Sequence, residues 1–329
     1  MESDRPLRFG ILGAARIAPE AIVKAAIDLP EVEVSAIAAR DPARAGEFAA
    51  AHHVAQVLGS YEALVNDDLI DVIYNPLPNS LHYQWTIRAL EAGKHVLCEK
   101  PIASNAEQAA RLAEAASRRG LVLGEAFHYY YHPLAERVRQ LLRDRVLGRL
   151  FEMEGQFSVA LPPDNIRYEW NLGGGATMDL GCYALHWLRY FSGENLRVVS
   201  ATAVTGPPKI DLSMEALLHG ESEVRARMFC SMAPDARFWA SFQARGDKGE
   251  LTVVNPIAPQ LGHRLKIRIG SNEQRETVAG ETTYRHQLRA FAAAVRGRGA
   301  FPTDGRQGIT NMQTIDDVYR AAGLAPRGT

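Results

Sequence analysis

Short apolar runs alternate with stretches of helical periodicity through the first 125 residues. The apolar runs have the length and bounding turn residues of buried strands, and they fall at 7–12, 32–39, 54–58, 70–74, 96–98 and 121–125. The stretches between them repeat apolar residues at helical spacing, at 21–27, 43–51, 61–65, 81–92 and 105–118. Strands that alternate with helices predict a doubly wound parallel sheet, the Rossmann type of α/β fold.

The pattern changes after a further predicted helix at 134–145. Apolar and polar residues alternate over 149–161, which is typical of a half-buried strand. Strands joined by short connections follow at 196–205, 222–232, 236–245, 250–254 and 264–269. Such an order predicts a largely antiparallel open sheet in an α+β domain. Helices are predicted to begin near Ala176 and to span 283–296 and 308–322.

Two domains suit a chain of 329 residues, because single hydrophobic cores stop growing beyond about 250–300 residues. We predict a Rossmann dinucleotide-binding domain over 1–127. An α+β domain for substrate binding and oligomerisation is predicted over 128–329. Its sheet would carry helices on one face only, so the other face favours association with a second copy.

The formal net charge of −1 argues against nucleic-acid binding, because such proteins carry strong basic patches. No apolar run approaches about 18 residues, so no membrane span is predicted, and the first residues lack a signal-peptide core. The three cysteines, Cys98, Cys182 and Cys230, are scattered, which favours reduced thiols over disulfides or a metal site. These features predict a cytoplasmic protein without a bound metal.

The first strand runs directly into a turn of small residues that has the form Gly-x-Ala-x-x-Ala. Gly13 allows a tight turn, Ala15 lets the backbone approach a pyrophosphate, and Ala18 permits close packing of helix and strand. The helix that follows offers free N–H groups to phosphates. We predict cofactor contacts from Gly13, Ala15, Arg16 and Ile17, although an ordinary βα turn explains the pattern equally well.

The second strand ends at Arg40-Asp41, where a Rossmann fold binds the adenosine ribose. A guanidinium at this position is suited to a 2′-phosphate, so Arg40 favours NADP, with NAD still possible. The alternative is a solvated Arg40 beside an Asp41 that caps the next helix, and both functions are compatible.

Two other strand ends reach the same edge of the sheet, and open parallel sheets bind ligands there. The loop after the fourth strand offers Pro76, Leu77, Asn79 and His82 to a ribose or carboxamide, although Asn79 is equally a helix cap and His82 a buried structural residue. The fifth strand ends at Glu99-Lys100. Lys100 is a candidate proton donor or fixed positive charge, and the alternative is a solvated surface lysine.

A glycine triplet at 173–175 precedes the helix that begins near Ala176. Asp179 and Tyr183 are four residues apart and share one helix face, which suits an acid/base pair. A buried amphipathic helix is the alternative. Arg167 and Trp170 precede the triplet and are candidate substrate contacts.

These motifs together resemble the Gfo/Idh/MocA oxidoreductase family (glucose–fructose oxidoreductase and inositol dehydrogenase). The resemblance rests on the order and spacing of residues 10–18, 78–82, Glu99-Lys100-Pro101 and 125–127. The segment 173–183 resembles the family's glycine-rich segment that ends in His or Tyr. Tyr183 and the Ala-Ala-Arg-Asp stretch at 38–41 are similar to the subgroup that contains dimeric dihydrodiol dehydrogenase.

The resemblance implies an NAD(P)-dependent oxidoreductase, preferring NADP, that moves a hydride to or from a secondary alcohol or ketone of a sugar, cyclitol or diol. It implies that Tyr183 moves the hydroxyl proton with help from the Lys100 charge, or that Lys100 carries the proton itself, while Asp179 orients a substrate hydroxyl. A homodimer or homotetramer through the second sheet, and a last helix (306–322) packed on the first domain, are also implied. The alternative function is a non-catalytic NADP-binding regulator.

Overall fold

The computed structural model describes residues 5–207 and 209–328. They divide into two compact units. Unit 1 extends to His128 and includes Tyr284–Ile309, and unit 2 comprises Tyr129–Thr283 and the chain from Thr310 onward. The predicted division placed residues 128–329 together, whereas Tyr284–Ile309 clusters with unit 1, where Phe291 packs against Phe9 with ring centroids 6.1 Å apart.

Unit 1 contains a six-stranded sheet in which every strand pair is parallel. Its strands are β1 (Leu7–Leu12), β2 (Val32–Ala38), β3 (Gln56–Val57), β4 (Val72–Asn75), β5 (His95–Cys98) and β6 (Leu123–Glu125). The spatial order β3-β2-β1-β4-β5-β6 is that of the Rossmann fold, whose carboxyl-terminal edge binds ligands. The predicted parallel sheet is confirmed.

The helices follow the predicted periodicities closely, because their ends are marked by local side chains. They are α1 (Lys24–Ala26), α2 (Pro42–His52), α3 (Tyr61–Val65), α4 (Asn79–Glu91), α5 (Ala106–Arg119), α6 (Pro133–Arg143), α7 (Cys182–Ser192), α8 (Thr283–Val295) and α9 (Gly305–Ala321). Ser60 and Asn105 cap α3 and α5 by accepting backbone N–H groups. Single π-helical turns, Pro19–Val23 and Thr177–Gly181, lead into α1 and α7.

Unit 2 contains an eight-stranded sheet in the order β14-β13-β12-β11-β7-β10-β9-β8. Its strands are β7 (Leu150–Ser158), β8 (Leu196–Gly206), β9 (Ile210–Gly220), β10 (Arg225–Ser231), β11 (Trp239–Gly246), β12 (Gly249–Val254), β13 (Arg264–Ile269) and β14 (Asn272–Glu276). Only the pair β7 and β10 is parallel among the described pairs, which confirms a largely antiparallel sheet. Strands β9 and β14 were not predicted from the sequence.

One face of this sheet is covered by α7, and the other presents charged side chains. Gly155 in β7 makes the close packing possible, because a Cβ there would lie 2.8 Å from the carbonyl oxygen of Ala184 in α7. On the opposite face Arg227 forms ion pairs with Glu154 and Glu215 on the neighbouring strands. The sheet therefore has an apolar helix-covered face and a polar face.

Residues 5–207 and 209–328 lack a membrane-spanning helix, a cluster of metal-binding side chains and a disulfide. No helix among them combines the length and apolar character needed to cross a membrane. Those residues contain no group of three His, Cys, Asp or Glu side chains that could hold a metal ion. Cys98, Cys182 and Cys230 are free thiols, and all three are buried.

Candidate active site

The turn after β1 is built for close approach to the backbone. Gly13 has φ +84°, a conformation that favours glycine, and its N–H donates to the Ala38 carbonyl at 2.6 Å. A Cβ at Gly13 would lie 3.0 Å from Leu77. Ala18 is fully buried and packs the following helical turn against the sheet. The remaining predicted contacts of this turn differ in exposure, since Ala15 and Ile17 are half-buried and Arg16 is exposed.

The end of β2 presents positive charge beside this turn. Asp41 caps α2 by accepting the Ala43 N–H at 2.9 Å, and Arg40 before it is exposed. The cap proposed as an alternative function of Asp41 is therefore present, and it leaves the Arg40 side chain in solvent. Arg44, four residues further, donates to the Ala14 carbonyl in the glycine turn at 3.3 Å. Arg44 was not predicted as a site residue from the sequence, although its position four residues after Arg40 was a usable signal.

The loop after β4 is held by buried polar groups. Both ring nitrogens of His82 lie 2.7 Å from backbone carbonyls, those of Leu77 and Pro101, and the side chain is fully buried. Burial lowers the pKa of His82 to about 4; the two carbonyls oppose this shift, and the Lys100 charge adds to it. His82 thus connects the loop that follows β4 to the one that follows β5.

The other predicted cofactor contacts in the loop after β4 differ from one another in solvent exposure. Pro76 and Leu77 are buried, and Asn79 is half-buried at the start of α4. The Asn79 carbonyl accepts a hydrogen bond from the Ser104 hydroxyl at 3.4 Å. The loop is therefore fixed from both the β4 and the β5 side.

Glu99 and Lys100 occupy the end of β5 with different environments. Glu99 is 9% exposed and accepts a hydrogen bond from the Tyr74 hydroxyl at 2.8 Å. Lys100 is half-buried, so it is not a fully solvated lysine. Burial and the Lys100 charge lower the pKa of His128 to about 3, as they do for His82. The charge of Lys100 thus acts in the same direction as burial on both imidazoles.

Tyr284 at the start of α8 joins this part of unit 1. Its ring packs on His128 with centroids 4.1 Å apart. Burial, followed by the charge of Glu99, raises the pKa of Tyr284. Tyr284 was not predicted as a site residue, because it lies more than 150 residues along the chain from the motifs that it contacts.

In unit 2 the helical segment after the glycine triplet carries both predicted acid/base residues. Asp179 lies in the π-helical turn and Tyr183 in the first turn of α7. Arg167 Nε lies 2.6 Å from Asp179 Oδ2, so Arg167 and Asp179, named separately from sequence, form an ion pair. The Asp179 side chain is 13% exposed. This pairing orients the carboxylate.

Tyr183 stands in an aromatic cluster within unit 2. It is 4% exposed, and its ring lies 5.7 Å from that of Phe157 and 6.2 Å from that of Trp187. One turn further, His186 lies 2.5 Å from the Tyr129 hydroxyl, and burial with the Arg189 charge lowers the pKa of His186. These rings immobilise the helix face that carries Tyr183.

Trp170 is half-buried and stacks on a guanidinium that sequence analysis had not considered. The Cζ atom of Arg327 lies 4.3 Å from the centre of the Trp170 ring. Trp170 therefore has a packing role within unit 2, independent of any substrate.

Two family models match the chain along most of its length. One, described as an oxidoreductase family with an NAD-binding Rossmann fold, matches residues 7–127. The other, the GFO/IDH/MocA C-terminal domain, matches residues 135–252. The chain belongs to the Gfo/Idh/MocA oxidoreductase family. The resemblance noted in the sequence, the fold class and the oxidoreductase prediction are thereby confirmed.

Relatives of this Gfo/Idh/MocA protein align over nearly the whole chain. D-xylose 1-dehydrogenase (NADP(+)) 2 from Haloferax volcanii is 35% identical over 96% of this chain and 97% of that protein. A dTDP-3,4-didehydro-2,6-dideoxy-alpha-D-glucose 3-reductase from Streptomyces violaceoruber is 35% identical over 98% of this chain and 97% of that protein. The structure of KijD10, a 3-ketoreductase from Actinomadura kijaniata in complex with NADP and TDP-benzene, has a TM-score of 0.90 at 29% identity, covering 96% of this chain and 98% of that one.

Proposed function

We propose that this protein is an NADP-dependent oxidoreductase that moves a hydride between nicotinamide and a secondary alcohol or ketone of a sugar. The observation that carries the proposal is the Gly13 turn with Arg40 and Arg44 beside it. A turn that begins with glycine and continues with small residues lets the backbone approach a pyrophosphate. Two guanidinium groups suit a 2′-phosphate. The NADP-dependent relatives support the same cofactor.

The backbone geometry of unit 1 supports the proposed binding of a dinucleotide. The positive φ of Gly13 and the 3.0 Å approach of Leu77 to its missing Cβ mark a cradle that a side chain would fill. When bound, NADP(H) supplies or accepts the hydride. The residues proposed to hold it are Gly13, Ala15, Arg16, Ile17, Arg40, Arg44, Pro76, Leu77, Asn79, Glu99 and Lys100, with His82 fixing the loop behind them.

Proton transfer is assigned to Tyr183, with Lys100 supplying positive charge. A phenol has a pKa near 10, and a nearby cation favours its ionised form, which makes it usable as an acid or base near neutral pH. Asp179, oriented by Arg167, accepts a hydrogen bond from a substrate hydroxyl next to the reacting carbon. Trp170 and Arg167 complete the proposed substrate contacts.

The substrate class proposed is a pyranose sugar, free or linked to a nucleotide. The two relatives above are named for D-xylose and for a dTDP-linked keto sugar. Vicinal hydroxyls of such a ring match the proposed use of one carboxylate, Asp179, and one phenol, Tyr183. A sugar oxidised or reduced at one carbon presents its neighbouring hydroxyl to the carboxylate.

A homodimer or homotetramer is proposed through the polar face of the unit 2 sheet. Leu217 and Trp239 on this face are 45% and 40% exposed, next to the ion pairs of Arg227. Apolar side chains within a charged sheet face are suited to a second copy of the same surface. Light scattering with wild type and Leu217→Glu checks this, and an unchanged mass for the variant contradicts it.

The cofactor proposal is tested by titrating the protein with NADPH and NADH and following nicotinamide fluorescence. Loss of charge-assisted hydrogen bonds worth about 1.5–3 kcal/mol should weaken NADPH binding to Arg40→Ala about 10- to 150-fold. NADH binding should be unchanged. Arg119→Ala removes an exposed arginine at the end of α5 and serves as the matched control.

Two results would contradict the proposal in different ways. Equal binding of NADH and NADPH, unaffected by Arg40→Ala, would overturn the NADP preference. Tight NADPH binding without oxidation of D-xylose and other aldoses, and without reduction of keto sugars or their dTDP derivatives, would favour the non-catalytic regulator.

A further inference from the structure

Arg327, which follows α9, has an almost completely buried guanidinium. The residue is 1% exposed, and arginine is rarely buried unless it is paired. Its Nε donates to the Gly174 carbonyl at 2.7 Å, and its Nη2 to Asp211 Oδ1 at 2.6 Å. The rings of Trp170 and Tyr319 each lie 4.3 Å from Cζ. The planar group is therefore fixed by hydrogen bonds and by aromatic contacts.

Asp211 connects the buried guanidinium of Arg327 to the helical segment that carries Asp179 and Tyr183. Its side chain in β9 is fully buried. While Oδ1 pairs with Arg327, Oδ2 accepts the backbone N–H of Thr177 at 2.7 Å. Thr177 is the first residue of the π-helical turn that carries Asp179. One ion pair thus holds the start of the segment that leads to Tyr183.

Gly175, the last residue of the glycine triplet, lies so close to this ion pair that a side chain there would clash with it. Gly175 has φ +132°, and a Cβ there would lie 2.2 Å from Asp211 Oδ1 and 2.8 Å from Arg327 Nη2. The N–H of Gly175 donates to the Arg167 carbonyl at 3.0 Å, and Arg167 pairs with Asp179. The turn, the ion pair and the carboxylate of Asp179 are therefore one connected structure.

We propose that Arg327 is a positioning residue that fixes the glycine turn and, through Asp211, the direction of the segment carrying Asp179 and Tyr183. The inference rests on the proposed function, because only there do these two residues act on substrate. A purely stabilising role explains the arrangement less well, since apolar replacements of buried ion pairs are often neutral or stabilising. A fixed direction, by contrast, needs the directed hydrogen bonds that a guanidinium makes.

The main test variant removes both charges together, as Arg327→Met with Asp211→Asn. Removing Arg327 alone would leave a buried unpaired carboxylate and risk unfolding, whereas the double variant leaves no buried charge. Displacing catalytic groups by about 1 Å costs about 10²-fold in rate, so kcat should fall about 10- to 100-fold. The NADPH dissociation constant, a property of unit 1, should be unchanged. Arg320→Met, on the exposed side of α9 where Arg320 pairs with Asp317, should leave kcat unchanged.

Arg327→Lys tests geometry at constant charge. An ammonium cannot stack between two rings while donating in two fixed directions, so kcat should fall as in the double variant. A folded double variant with wild-type kcat overturns the proposal. So does an equal loss of kcat in Arg320→Met.

Amide hydrogen exchange separates this proposal from the proposed function, because it needs no substrate. The N–H of Thr177 and that of Asp179, which donates to the Gly175 carbonyl at 3.1 Å, should exchange at least about tenfold faster in the double variant. If wild type turns over no sugar, the proposed function fails and exchange alone decides the positioning role. Unchanged protection of both amides in the folded double variant overturns it.

Discussion

The low pKa of His82 should make unit 1 sensitive to mild acid. In the unfolded chain the imidazole takes up a proton as the pH falls through 6.5, its ordinary pKa, whereas in the folded protein the pKa is about 4. The unfolded state therefore binds more protons between these two values, and stability falls as the pH is lowered from 6.5 to 4. Above pH 6.5 the ring is neutral in both states, and its contribution to stability is fully present.

The size of the effect follows from the two pKa values. Each pH unit between them is worth about 1.4 kcal/mol, so His82 costs about 2 kcal/mol of unfolding free energy on going from pH 7 to pH 5. His128, whose pKa is about 3, adds its own loss. The comparison is therefore made between wild type and His82→Asn. The variant should lose about 2 kcal/mol less than wild type over the same interval, whatever its stability at pH 7.

Urea unfolding of unit 1 can be followed separately from unit 2. Trp85 is 6% exposed in α4, and it is the one tryptophan of the four that lies in unit 1. The ¹⁹F resonance of 5-fluorotryptophan at this position reports on unit 1 alone. His53→Asn is the control, because His53 is exposed and has φ +55°, which asparagine tolerates. Identical pH dependence of wild type and His82→Asn would refute the reasoning.

Two further substitutions test packing and chemistry in unit 1. Gly124→Ala places a Cβ 2.4 Å from the Phe301 ring, so we expect the free energy of unfolding in urea to fall by about 1–3 kcal/mol. Gly46→Ala in α2 is the control, because a Cβ there meets nothing within 4 Å. It should instead raise the free energy of unfolding by about 0.5–1 kcal/mol. Lys100→Met should lower kcat at least about 10²-fold and largely preserve NADPH affinity, because the other proposed cofactor contacts remain. Lys24→Met, at an exposed position of α1, should leave both unchanged. Near-normal kcat for Lys100→Met would contradict the role given to Lys100.

Most elements of the fold could be predicted from the sequence because their signals are local. The βα alternation of unit 1 and the caps at Asp41, Ser60 and Asn105 each depend on a few neighbouring residues. β9 was missed although its even-numbered positions from Ile210 to Leu218 are apolar, since Asp211 and helix-forming residues obscured the alternation. β14 (Asn272–Glu276) contains no apolar residue at all. An exposed edge strand of this kind has no hydrophobic period to detect.

The residues of the candidate site also differ in whether the sequence alone predicts them. Gly13, Lys100, Asp179 and Tyr183 stand in compact motifs, so the sequence alone was sufficient to propose them. The residues that pack against the site come from distant parts of the chain. Tyr284, for example, packs on His128 from α8, and no spacing rule connects the two.

The contacts of Arg327 in unit 2 show why such packing residues cannot be predicted from the sequence. Arg327 is separated from Asp211 by 116 residues and from Gly174 by 153, so their pairing exists only once the eight-stranded sheet and α9 are formed. A glycine triplet read alone suggests a permissive and mobile turn. With Asp211 and Arg327 in place, the space beside Gly175 is filled by a carboxylate and a guanidinium, which leaves no room for a side chain. The glycine is therefore required for tight packing around a fixed backbone, and rigidity of the turn is what the proposed chemistry of Asp179 and Tyr183 needs.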